Sequence, residues 1–218
     1  MTDNSKDEFI EIARIKEEFI ANASHELKTP IASVRLAAES ALTSLERDDG
    51  MTKSFLEQIL RDSDRMNELI SDLLDLSAME SSDVFMETFD LHDVIANEIS
   101  YLSKQNKKRI SYKKKKVEIN ANFDDISLAV KNLIKNALKY SPPEENILVQ
   151  IEENDKSVRC SFQDFGSGIS ESDQEKIFER FYRVDKGRSR KVGGTGLGLA
   201  IVKHCLLYTS DAADDWQG

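Results

Sequence analysis

Apolar side chains along residues 8–47 recur at intervals of three and four: Phe9, Ile12, Ile15 and Phe19, then Leu27, Ile31, Val34, Ala38, Ala41 and Leu45. Those intervals keep one stripe of a helix apolar, so the segment is predicted to be one long helix of a coiled coil or bundle. The run Arg47-Asp48-Asp49-Gly50 breaks the pattern, and Gly50 suits a cap or turn. A second stripe follows in Leu56, Ile59, Ser63, Met66, Ile70 and Leu73. Two such helices joined by a short loop make an αα-hairpin. One hairpin buries too little surface to stand alone, so two chains pairing into a four-helix bundle is the expected solution. A monomeric hairpin packed on the rest of the chain is the alternative.

The remaining length allows a second domain, since 218 residues suit one large domain or two small ones. A hydrophobic fraction of 39% supports real cores rather than disorder. A net charge of -10 argues against nucleic acid or an anionic membrane as partner of the whole chain. Cys160 and Cys205 have no metal-type spacing, so a reducing cytoplasm fits best. No stretch approaches the roughly 20 apolar residues of a membrane span. Residues 2–8 are all polar or charged, unlike a signal peptide.

Residues 77–89 read as a linker turning into a strand near Val84–Phe89. Beyond it the pattern changes to α/β. A helix is predicted over Leu91–Leu102 with Asp90 as N-cap. Strands are predicted at Ile110–Tyr112 and Val117–Ile119. A helix follows from about Ile126 to Tyr140, stopped by Pro142-Pro143. Ile147–Glu152 and Ser157–Asp164 read as paired strands turned by Glu153-Asn154-Asp155-Lys156. The stretch Lys104–Lys116 is strongly basic. It reads as a solvated loop rather than a nucleic-acid patch, because the whole chain is acidic and only Tyr112 interleaves as a stacking aromatic.

His25 lies in Ser24-His25-Glu26-Leu27-Lys28-Thr29-Pro30. At about 100° per residue it sits roughly 200° from Leu27, facing away from the apolar stripe. A lone helical histidine is usually surface. Here Glu26 is adjacent, and a carboxylate that accepts the Nδ1 proton makes Nε2 a better nucleophile. Thr29 shares the face of His25, four residues on, and its hydroxyl could position a water. Pro30 removes the helical hydrogen bond to the Glu26 carbonyl and is expected to bend the helix.

Four segments of the second half suit phosphate handling. Asn132 and Asn136 share a helical face, with Lys139 and Tyr140 one turn on; an amide oxygen is a hard ligand for Mg²⁺, and a lysine offsets phosphate charge. Asp164-Phe165-Gly166-Ser167-Gly168-Ile169 follows a strand, where a carboxylate can accept from an exocyclic amine such as that of adenine. Ile177-Phe178-Glu179-Arg180-Phe181-Tyr182-Arg183, with the polar run after Val184, reads as a flap carrying cations near phosphates. Gly193-Gly194-Thr195-Gly196-Leu197-Gly198 opens an apolar helix, where backbone N–H groups bind phosphate well. It is not a Walker A loop, since no Gly-Lys-Ser/Thr follows, nor does it follow a strand as a Rossmann fingerprint should.

In this order, and preceded by His25-Glu26, the segments resemble the catalytic core of sensor histidine kinases over about residues 8–204. The resemblance implies an α+β chain. A helical hairpin forms a dimeric four-helix bundle over 1–80, and an α/β sandwich that binds ATP follows over 84–204. It implies His25 as the phosphorylated residue, Glu26 as its base, and Thr29 as an aid to dephosphorylation of the partner. Asn136 would hold Mg²⁺, with Asn132 beside it near the phosphates; Lys139 and Tyr140 would contact the nucleotide. Asp164 would read adenine. Gly166, Gly168, Ile169 and Phe178 would line the pocket, and Gly194, Thr195, Gly196, Leu197 and Gly198 would shape it and its lid. ATP and Mg²⁺ are the implied cofactors, and a response-regulator aspartate receives the phosphate. The implied location is the cytoplasm, with room for a membrane anchor outside this chain. Other ATPases of the same sandwich lack a phosphoacceptor helix, so Ser24–Pro30 argues against them. A dimerising scaffold without catalysis is the remaining alternative.

Two departures from the pattern stand out. No sensor or membrane span precedes residue 8. After Lys203-His204 the family would finish the helix and add closing strands, whereas residues 205–218 look like an in-frame sequencing adapter. The expectation is therefore a non-native tail over 205–218, an open sheet edge, and weak or absent autophosphorylation until a complete C-terminus is restored.

Overall fold

The computed structural model describes residues 4–81, 85–184 and 194–209, with side chains over 14–79, 85–184 and 194–207. The chain divides into two compact units, Met1–Leu73 with Ser189–Thr195, and Leu74–Arg188 with Gly196–Gly218.

Helix α1 spans Asn4–Arg47 and α2 spans Thr52–Ser81. Ion pairs one turn apart brace their exposed faces, as at Arg14–Glu18 and Arg35–Glu39, both 2.9 Å. Asp48 (φ 51°) and Gly50 (φ 74°) make the turn between them. The Asp49 carboxylate closes it, accepting from the Ser44 hydroxyl and from Met51 N–H.

The hairpin covers most of the expected stripe: Ala41 is buried, and Leu27, Val34, Ala38, Ile59, Ser63, Met66 and Leu73 are half-buried. Pro30, Ala37, Ala41 and Ser44 are buried on α1, and Leu69, Asp72 and Leu76 on α2. Ile31 and Leu45, which belong to the predicted stripe, are 55% and 64% exposed, and Leu56 and Ile70 are exposed too. A bundle helix carries an apolar face about three residues wide per heptad, so periodicity alone does not say which edge meets the partner helix.

The second unit begins with β1 (Glu87–Asp90) and α3 (Leu91–Tyr101). Asp90 caps α3 as expected, accepting from His92 N–H at 2.9 Å, and reaches Val117 N–H at 3.1 Å. Val84, in the predicted first strand, lies outside the described residues. The basic stretch is not simply a loop: Lys104–Lys108 forms a short helix, α4, capped by Ser103. Strands β2 (Ile110–Tyr112) and β3 (Glu118–Ala121) follow, then α5 (Phe123–Tyr140). Next come β4 (Ile147–Glu153) and β5 (Val158–Gln163), turned by Asn154, whose side-chain Oδ1 accepts from Lys156 and Ser157 N–H. A short helix α6 (Glu171–Gln174), a 3₁₀ turn (Lys176–Phe178) and α7 (Gly198–Thr209) complete the described chain.

Strand β1 pairs antiparallel with β3. In the other sheet β2 lies parallel to β4, and β4 antiparallel to β5. Ile147, Val149 and Ile151 alternate inward on β4 and share one core with Val94 and Ile95 of α3 and with Ile126, Val130 and Ile134 of α5. Each such buried side chain contributes about 1.5–3 kcal/mol. Helix α5 also packs against α7.

Helix α7 continues past His204. Cys205 is 0% exposed, burial pushes its thiol up to about 12, and Leu206 packs on the core. The predicted tail thus begins inside a packed helix, and residues 210–218 lie outside the described part.

The cap of α5 carries a stability prediction. Asn122 accepts from Asp125 N–H at 3.1 Å, satisfying one donor that the helix start leaves open. Asn122→Ala is expected to cost about 1 kcal/mol, seen as a lower urea midpoint with an unchanged slope; an unchanged midpoint would refute the cap.

Candidate functional site

His25 projects from α1 with its side chain 79% exposed. An exposed imidazole is open to an incoming electrophile and takes no part in packing. Its Nδ1 lies 3.9 Å from Glu26 Oε1, longer than a hydrogen bond but within a side-chain rotation of one. The other oxygen of Glu26 accepts from Arg65 Nη2 of α2 at 3.1 Å. Sequence reasoning missed Arg65, because 39 residues separate it from Glu26 and no local pattern links them. Thr29 Oγ1 donates to the His25 carbonyl at 3.3 Å, a bond helical threonines commonly make. Pro30 is buried within the uninterrupted helix.

Also in the first unit, Gly194 and Thr195 are buried, and Thr195 Oγ1 donates to the carboxylate of Asp72.

In the second unit α5 presents Asn132 and Asn136 toward the start of α7. Asn132 is 5% exposed, and its Nδ2 donates to the Leu128 carbonyl at 2.9 Å. Its Oδ1 faces Gly198: a Cβ there would lie 2.9 Å from that oxygen and 3.9 Å from Asn136 Nδ2. The glycine therefore lets the first turn of α7 sit directly on the two amides. Leu197, just before it, is fully buried. Lys139 Nζ lies 5.5 Å from the Tyr140 ring centroid, a cation–π distance. Lys139 also lines a groove of about 680 Å³ with Lys131, Lys135 and Tyr101, on the flank of α5 next to its asparagine face. Tyr140 itself is exposed.

The Asp164-Phe165-Gly166 turn sits against the C-terminal end of α5. Asp164 is exposed, and its Oδ1 accepts from Gly166 N–H at 2.8 Å, which fixes the carboxylate's direction. Phe165 N–H donates to Ser141 Oγ at 3.0 Å. Gly168 and Ile169 are exposed beyond the turn.

Phe178 ends the 3₁₀ turn, half-buried. Phe181 adopts a left-handed backbone (φ 65°), and its N–H donates to the Gly196 carbonyl at 2.8 Å. A Cβ on Gly196 would lie 2.9 Å from the Phe181 backbone, so this approach requires glycine. Asp173 accepts from the hydroxyls of Ser170 and Tyr182. Those two bonds hold its carboxyl below the usual range, and the second raises the Tyr182 phenol. The polar run 185–191 of the predicted flap lies outside the described residues.

The structure thus brings Asn132, Asn136 and Gly198 together, and Tyr140, Asp164 and Gly166 together. No cluster of three or more His, Cys, Asp or Glu side chains suited to a metal occurs among the described residues. No described helix is long and apolar enough to cross a membrane.

Residues 15–82 match the His Kinase A (phospho-acceptor) domain, and residues 121–211 match the histidine kinase-, DNA gyrase B-, and HSP90-like ATPase domain. The sensor-like histidine kinase SenX3 of Mycolicibacterium smegmatis is 32% identical over 213 positions, covering 92% of this chain and 54% of that protein. The sensor histidine kinase WalK of Bacillus subtilis is 34% identical over 209 positions, covering 92% of this chain and 34% of that protein. The chain therefore spans about half of one relative's length and a third of the other's. Among solved structures, the histidine kinase AdeS of Acinetobacter baumannii shares the fold, with a TM-score of 0.61 and 22% identity over 84% of this chain and 86% of that one.

Proposed function

The chain belongs to the sensor histidine kinases through the two domains of their catalytic core, and from this we propose that it phosphorylates its own His25 from Mg-ATP and passes the phosphate to an aspartate of a response-regulator receiver domain. The observation that carries the reading is the pairing of two features on one chain. One is an exposed histidine beside an Arg65-held carboxylate. The other is an asparagine helix met by a glycine-opened helix start.

In the proposed reaction a ring nitrogen of His25 attacks the γ-phosphorus, and the bond to the ADP oxygen breaks. Glu26 accepts the Nδ1 proton, closing its 3.9 Å gap by rotation while Arg65 steadies its other oxygen. Thr29 takes the role of placing a water when the phosphorylated regulator is hydrolysed. Asn136 would hold Mg²⁺ with Asn132 beside it. With Asn132 Nδ2 spent on the Leu128 carbonyl, its oxygen faces the start of α7, and amide oxygens suit an ion that takes most of its ligands from phosphate and water. Bound there, the ion offsets phosphate charge. Asp164, oriented by Gly166 N–H, accepts from the adenine amine. Lys139, Tyr140, Ile169, Phe178, Gly196, Leu197 and Gly198 complete the nucleotide pocket. Exposed Ile31, Leu36, Leu42, Leu45 and Leu60 suit burial in a homodimeric bundle. The cytoplasm, which holds ATP and receiver domains, is the proposed compartment.

Incubation with γ-labelled ATP and Mg²⁺ tests this. Acid-labile, base-stable label transferable to a receiver domain is the expected outcome, weak on this chain and stronger when the C-terminal residues of a relative replace 205–218; acid-stable label, or none in either form, would sink the proposal.

A further inference from the structure

The basic stretch 104–116 contains one cation aimed inward. Arg109 follows α4 and is half-buried. Its guanidinium donates to four backbone carbonyls: Nη1 to Leu138 at 3.3 Å, Nη2 to Ser141 at 3.2 Å and Pro142 at 2.7 Å, and Nε to Glu145 at 3.3 Å. Its own carbonyl accepts from Ile147 N–H at 2.7 Å, tying it to the start of β4. The last carbonyls of a helix lack partners within it and carry the negative end of its dipole, so a fixed cation with several N–H groups suits them. The planar fork of arginine can reach several acceptors at once, which an ammonium cannot reproduce.

What Arg109 holds is the platform for the Asp164-Phe165-Gly166 turn. Buried Ser141 accepts from Phe165 N–H, and the Tyr140 carbonyl lies where a Cβ on Gly166 would be 2.9 Å away. We infer that Arg109 is a positioning residue for the adenine-nucleotide site: it fixes the end of α5, with Lys139 and Tyr140, against the turn that aims Asp164. The inference rests on the nucleotide site proposed above.

The test uses the whole chain, Mg²⁺ and a ribose-labelled fluorescent ADP, well below the melting temperature. Arg109→Met is expected to raise the Kd at least tenfold, with far-ultraviolet circular dichroism unchanged. Arg109→Lys, which keeps the charge and loses the fork, is expected between the two. Ser141→Ala, which cuts the link to Phe165, is expected to raise the Kd several-fold with little change in melting temperature; it decides the matter if Arg109→Met does not fold. Asn136→Ala is the control for the site. Loss of binding in Asn136→Ala, with the Arg109 and Ser141 variants within twofold of the parent, overturns the positioning role alone. Unchanged binding in Asn136→Ala, or a parent that does not bind the probe, overturns the site and the inference with it.

Discussion

His25→Gln is expected to leave no acid-labile phosphate on the chain while nucleotide binding stays within twofold. The two readouts separate because the residue contributes to one and not the other. Its side chain is 79% exposed, so replacing it opens no cavity. Glutamine is a good helix former, and exposed substitutions of this kind usually change stability by no more than about 0.5 kcal/mol. What is lost is the ring nitrogen proposed to take the phosphoryl group, for which an amide is no substitute. Labelling with γ-labelled ATP, followed by acid and base treatment, checks the first readout; the fluorescent ADP checks the second. Label persisting in His25→Gln would move the acceptor elsewhere. Glu26 is the natural next residue to vary, because Arg65 already holds its carboxylate beside the imidazole.

Gly166→Ala is expected to weaken adenine-nucleotide binding by about ten- to a hundredfold. The added Cβ would lie 2.9 Å from the Tyr140 carbonyl oxygen and from Asp164 Oδ1. One of those is helix backbone held in place by the end of α5, so the turn rather than the helix must move. Overpacking of this kind costs about 1–3 kcal/mol, and each 1.4 kcal/mol is about a tenfold change in affinity. Moving the turn also loosens the Gly166 N–H bond that aims Asp164. Gly168→Ala is the contrast: its Cβ would meet nothing within 4 Å, and only its backbone angle (φ 74°) disfavours alanine. A Kd titration of both variants checks this, and Gly166→Ala binding within twofold of the parent would refute the close approach.

Most of the local structure was readable before any fold was known. Asp90 as a cap, Gly50 in the hairpin turn, the stop of α5 near Pro142 and the turn at Asn154 all depend on groups within a few residues of each other. The motifs proposed to bind the nucleotide were readable for the same reason, since each is contiguous. What was not readable shares the opposite property. Ile31, Leu45, Leu56 and Ile70 stay exposed within one chain because its apolar band is wider than the contact the hairpin makes. Residues 104–108 read as a loop because lysines and polar residues show no apolar period, although Ser103 supplies a cap. Residues 205–207 carry no sequence signal that α7 runs on through them, although Cys205 lies on its buried face.

By itself, then, the sequence determined the two long helices, the caps and turns, and which short segments suit phosphate handling. Helical periodicity and capping arise from bonds spanning at most about four residues, which a linear pattern records. Only the tertiary structure decided that Arg65 holds Glu26, that Arg109 closes the end of α5, and that Gly198 gives α7 room against Asn132. These partners lie 30 to 70 residues apart. Which carbonyls are left open, and which side chain is near enough to meet them, is settled by packing, because a buried polar group takes its partner from whatever the fold brings within reach.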